Sequence, residues 1–99
     1  MELELTGNGY LADPSIWTEE VMHELARLDD NFVLTDEHVK YILSVREIFN
    51  ETLAVPPIRD FAKLHGMDRK AQELYDLFPR GPMKMMTKYG GLPQPTGCV

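Results

Sequence analysis

The 99-residue chain has a single cysteine, Cys98, one place from its end. One thiol cannot close an internal disulfide, so the fold has to rest on apolar burial. No apolar run approaches the roughly 20 residues of a membrane-spanning helix. The opening "MELELTGNGY" has neither the basic start nor the long apolar stretch of a secretory leader, and a cytoplasmic location is expected. A phosphate-binding loop, a dinucleotide fingerprint, an HExxH zinc motif and a GxSxG elbow are all missing, so no conventional active site, cofactor or metal is expected. Acidic residues are missing from the last fifth of the chain. All 16 Asp and Glu precede Arg80, with seven of the ten Lys and Arg, so −9 over residues 1–79 contrasts with +3 over residues 80–99. An acidic body repels phosphate backbones, so direct nucleic-acid binding over a broad surface is not expected.

The apolar content, 43%, is enough for one core. "ELELTGNGYL" alternates apolar and polar residues around a Gly-rich turn and predicts a short N-terminal β-hairpin. In "DPSIWTEEVMHELARLDD", Asp13 or Ser15 as cap, Pro14 in the first turn and Val21, Leu25 and Leu28 at helical spacing predict a helix over 15–28. Thr35 caps a second helix over 35–53. Its Val39, Ile42, Val45, Phe49 and Leu53, widened by Tyr41 and Ile48, mark it as the central one. Pro56 and Pro57 end it and open a third helix over 57–65, with Ile58, Phe61 and Ala62 inward and Gly66 as a stop. A fourth over 69–78 places Ala71, Leu74, Tyr75 and Phe78 on one face. "GPMKMMTKYGG" predicts a short fifth helix from Pro82 that aligns Arg80, Lys84 and Lys88.

From Gly90 the periodicity stops, and three glycines and two prolines in ten residues exclude a helix. The expected organisation is a mainly α domain over residues 1–89, a small bundle whose middle helices resemble a helix-turn-helix. A flexible arm over residues 90–99 follows, reaching about 33 Å when extended. The acidic Glu73 and Asp76 in the third of those helices favour packing over DNA reading as the reason for the arrangement. His23 and His38, each near a glutamate, read as surface histidines. Met83, Met85 and Met86 read as adaptable packing. The Arg80–Lys84–Lys88 stripe is either a solvated helix face or a surface for an acidic partner or anion. Cys98 is either an incidental terminal thiol or a reactive group on a spacer. Gly97 leaves it open, Pro93 and Pro95 stiffen the arm, and Lys84 or Lys88 could favour its thiolate if the arm folds back.

The terminal "LFPRGPMKMMTKYGGLPQPTGCV" resembles the end of the DsrC/TusE family of sulfur-relay proteins, whose members finish in a run like GLPKPTGCV. "GYL" at Gly9–Leu11, Trp17, "LTDEHVKYI" and "PPIRDF" extend the resemblance over nearly the whole chain. It implies a helical bundle with an N-terminal hairpin, here shortened to its second strand, and a mobile arm. Cys98 matches the family's penultimate cysteine, which in TusE-like proteins accepts persulfide sulfur from a TusBCD- or DsrEFH-type donor complex. A thiouridylase-type acceptor, which makes 2-thiouridine at the tRNA wobble position, then receives it. The second cysteine of two-cysteine members falls on Thr87, so the resemblance implies a one-thiol, sulfurtransferase-type carrier. Arg59 matches a family arginine near the docked arm, and Lys84 and Lys88 join it as supporting candidates on charge. A regulatory or carrier protein of sulfur oxidation, passing sulfur to another sulfur-metabolism protein, is the alternative setting.

Overall fold

Five helices carry the structure, a computed structural model that describes residues 3–68 and 70–94: α1 (Glu19–Leu28), α2 (Asp36–Thr52), α3 (Ile58–Leu64), α4 (Gln72–Leu77) and α5 (Pro82–Tyr89). Each helix predicted from periodicity is present, with ends that move for local reasons. Asp13 caps only a 3₁₀ turn, Pro14–Ile16, by accepting from Ser15 N–H at 3.0 Å. Trp17 is then extended, and Thr18 restarts the chain as the cap of α1, accepting from Val21 N–H at 3.1 Å. At the other end of the bundle α2 stops at Thr52 because Leu53 takes the left-handed conformation, φ 59°. That turn throws Leu53, expected in the buried stripe, out to 78% exposure.

The expected N-terminal hairpin does not form. Among the described residues there is no strand, only one antiparallel bridge between Leu5 and Leu11. Thr6 N–H donates to Tyr10 C=O at 2.7 Å and Ala12 N–H to Glu4 C=O at 2.9 Å, after which the returning side meets Pro14. Proline has no N–H to extend a ladder, and a two-stranded ribbon this short does not sustain itself. The turn instead hooks onto α5, where Tyr10 is buried and its hydroxyl donates to Lys84 C=O at 3.2 Å.

The wide stripe of α2 predicts a central helix, but α5 holds that place. It packs against α1, α2 and α4. Pro82, Met83, Met85, Met86, Thr87 and Tyr89 are all buried on it, so the three methionines pack rather than ligate. Tyr75, expected inward, is 41% exposed, because the six-residue α4 has room to bury only Leu74, with Ala71 and Phe78 buried at its ends. His38 also departs from expectation. It is buried, accepts Thr35 N–H on Nδ1 at 3.0 Å and reaches Leu77 C=O through Nε2 at 2.7 Å, so the Nε2–H tautomer joins α2 to α4. No helix among the described residues is long and apolar enough to cross a membrane.

Candidate functional site

The chain leaving α5 is held residue by residue. Tyr89 C=O accepts the indole N–H of Trp17 at 2.8 Å. Gly90 C=O accepts an Nη hydrogen of Arg46, and the same guanidinium lies over the Trp17 ring at 3.6 Å. Gly91 has φ +65° and its backbone rests on the indole. A Cβ there would stand 2.5 Å from Trp17 Cδ1, so position 91 needs glycine for both conformation and space. Gly90 is equally close-packed, since a Cβ would meet Met86 C=O at 2.8 Å. Leu92 N–H then donates to Thr87 C=O at 3.0 Å, and the Leu92 side chain is buried in the core. Leu92 thus adds a buried apolar side chain beyond the end of α5. Pro93 is exposed, and Gln94 Oε1 accepts from Asn8 Nδ2 at 2.6 Å. Cys98, with the rest of residues 95–99, lies outside the described residues, as does Arg69.

This Arg46–Trp17 pair is what reading the sequence missed. Arg46 sits four residues after Ile42 and three before Phe49, a cation on the edge of an apolar helix face. That misplacement was the available signal. A guanidinium there covers a ring with its flat face and still has donors at its edge. Burial pushes its pKa below the usual arginine value, so the stacking and the carbonyl bond hold a cation partly removed from water.

Two depressions flank Gln94 and share Asn8 and Tyr10. One is a groove of about 730 Å³ whose surface is mostly apolar, from Leu11, Phe49, Leu92 and Pro93 among others, and whose polar lining includes Arg46 and Asn50. The other is a cup of about 280 Å³ between Asp29, Arg80, Lys84 and Lys88. The sequence-predicted stripe is thus brought together. Its charge is partly spent, because Asp29 pairs with Lys88 at 3.3 Å and Arg80 at 3.2 Å and accepts the Tyr89 hydroxyl at 2.6 Å. Burial alone would raise the Asp29 pKa. The Tyr89 hydrogen bond and the charges of Lys88 and Arg80 outweigh it and hold this carboxyl below its ordinary value. Tyr89 responds oppositely, its phenol pushed well above the usual tyrosine range by burial and by Asp29. Lys84 is exposed and has no carboxylate within ion-pair distance among the described residues. Arg59, also exposed, stands on α3 and lines neither depression.

The family model for "DsrC like protein" matches residues 1–99. The chain belongs to the DsrC-like family. Among curated relatives, "Sulfurtransferase TusE" of Photorhabdus laumondii is 36% identical over 99% of this chain and 92% of its own length. The protein of that name in Escherichia coli K12 is 34% identical over 99% and 94%. Among solved structures, DsrC of Allochromatium vinosum superposes with a TM-score of 0.84 at 34% identity, covering 100% of this chain and 92% of that one. The oxidised γ-subunit of dissimilatory sulfite reductase (DsrC) from Archaeoglobus fulgidus gives 0.81 at 36%, covering 100% and 94%. Thr87, the position on which the resemblance sets the second cysteine of two-cysteine members, is fully buried and donates its hydroxyl to Met83 C=O at 2.7 Å. The residue there is a packed part of α5, held under Tyr10.

Proposed function

We propose that this DsrC-like protein is a sulfur relay in which Cys98 carries a single sulfane sulfur between two enzymes. What carries the reading is the match of the whole chain to relatives named sulfurtransferase, together with a terminal motif whose cysteine stands four residues after Gln94, the last described residue. The step conserves atoms and oxidation level. The Cys98 thiolate attacks the outer sulfur of a donor persulfide R–S–SH, the donor S–S bond breaks, and R–S⁻ leaves as Cys98–S–SH forms. An acceptor thiolate repeats the exchange. Thr87 supports the one-thiol form, because a hydroxyl cannot pair with Cys98 or share a sulfur with it.

By resemblance, the donor is a TusBCD- or DsrEFH-type complex and the acceptor a thiouridylase-type enzyme making 2-thiouridine in tRNA, in the cytoplasm. The likeness to DsrC structures at similar identity, one of them a subunit of dissimilatory sulfite reductase, favours dissimilatory sulfur metabolism as a second setting, with the same chemistry and a different acceptor. Lys84 and Lys88 would add positive potential beside the arm and favour its thiolate. A supporting role for Arg59 rests on the resemblance. The test is mass spectrometry after incubation with glutathione persulfide. One added sulfur atom is expected on the wild type and none on Cys98→Ser, and loading that survives the substitution refutes the carrier.

A further inference from the structure

The relay reading leaves open where a partner must sit, and the anchoring of residues 89–94 answers it. A tether running free from Gly90 would let Cys98 roam about 29 Å from its root, eight residues at no more than 3.6 Å each. But Trp17 holds Tyr89, Arg46 holds Gly90, the core holds Leu92, and Asn8 holds Gln94. Cys98 stands four residues after Gln94 in the sequence, so covalent length alone sets a radius of about 14 Å around Gln94. A partner's reactive sulfur has to come within that radius of the Asn8–Gln94 bond. For two folded proteins that requires contact between surfaces, because about 14 Å is less than the thickness of one packed helix layer plus an approach gap.

We infer that the face around Asn8 and Gln94 is the docking surface for the sulfur-exchanging protein, and that this partner carries an acidic rim beside its reactive thiol; the inference rests on the relay reading above. Charge decides the chemistry of the rim. The cup next to Gln94 presents Arg80, Lys84 and Lys88 against one carboxylate, Asp29, a local surplus of two positive charges on a chain whose net charge is −6. Among the described residues Lys84 is the cation left over for an incoming carboxylate, since Asp29 already engages the other two. An acidic partner meets a net repulsion from residues 1–79, which sum to −9, and a local attraction at this cup, so the same charge pattern supplies orientation as well as affinity. On the other side of Gln94 the apolar groove offers Leu11, Phe49 and Leu92 to be covered, which a nucleic-acid backbone would not do.

The test compares two donors across ionic strength: glutathione persulfide, which needs no docking, and the purified persulfide-loaded TusBCD- or DsrEFH-type complex of the same organism. For Lys84→Glu the rate with the protein donor should fall at least fivefold further than the rate with glutathione persulfide at low salt. That gap should close toward 0.5 M salt, where the Debye length shrinks to a few ångströms. Lys63→Glu, the same charge change on α3 and outside both depressions, should open no gap. Equal falls with both donors, or no fall with the protein donor, overturn the docking surface while leaving the carrier intact. Failure of Cys98 to load from either donor overturns the relay reading and the docking surface with it. A band shift of the wild-type protein on tRNA at physiological salt that Lys84→Glu abolishes assigns the cup to phosphate and also overturns the proposal.

Discussion

A methyl group added at position 91 would place a carbon 2.5 Å from the Trp17 ring while forcing φ +65° on a residue with a side chain. The two costs are separable in kind, left-handed backbone at about 1–2 kcal/mol and overpacking at about 1–3 kcal/mol. Gly91→Ala should therefore lose about 2–5 kcal/mol of stability, read as a melting temperature lower by on the order of 10 °C or more. The same variant should shift the emission of Trp17, the chain's one tryptophan, because the indole has to leave Tyr89 C=O or tilt away from Arg46. An unchanged melt and spectrum would remove the claim that the double glycine is built into the domain. From the sequence, two glycines after a helix read as a stop and the start of a loose arm. Their steric role depends on a residue more than seventy positions earlier, which no local pattern reports.

At the level of elements, the links that matter join helices end to side. His38 bonds α2 to α4 through Leu77 C=O. His65, just past α3, meets Ser44 of α2 at 2.8 Å and packs on Phe61 and Tyr41 with ring centroids 4.6 and 5.0 Å away. Burial lowers the His65 pKa from 6.5, Lys40 lowers it further, and Glu73 offsets part of this. The folded protein therefore resists the proton that the unfolded chain accepts. The stability His65 contributes is complete above pH 6.5 and declines as the pH falls from there through the lowered folded value. In urea unfolding between pH 7.5 and 5.5 the wild type should lose stability on acidification more steeply than His65→Gln. Equal slopes would mean that His65 titrates alike in both states. The five helices were legible because periodicity, caps and prolines act over a few residues. Their packing partners were not, and so the widest apolar stripe, on α2, was mistaken for the centre that α5 occupies.

Across the whole molecule, anchoring and chemistry divide the chain. The core closes with Leu92, the last described contact is at Gln94, and the sulfur stands at position 98. Cys98→Ser should leave the melting temperature within about 1 °C of wild type while abolishing sulfur loading, since exchanging one sulfur for one oxygen changes the apolar area of the side chain little. A fall of many degrees would place Cys98 in the stabilising contacts and contradict its role as a delivered thiol.

The order of residues alone determined five helices, the position of the thiol and the family, because helix caps and a terminal motif are local and survive without knowledge of packing. Tertiary structure alone decided that the amino end hooks onto α5 instead of forming a hairpin. It also decided that Arg46 and Trp17 grip the two glycines and that Asp29 gathers most of the basic stripe. Those contacts pair residues 40 to 80 positions apart, and only the burial of a shared core brings such residues within bonding distance.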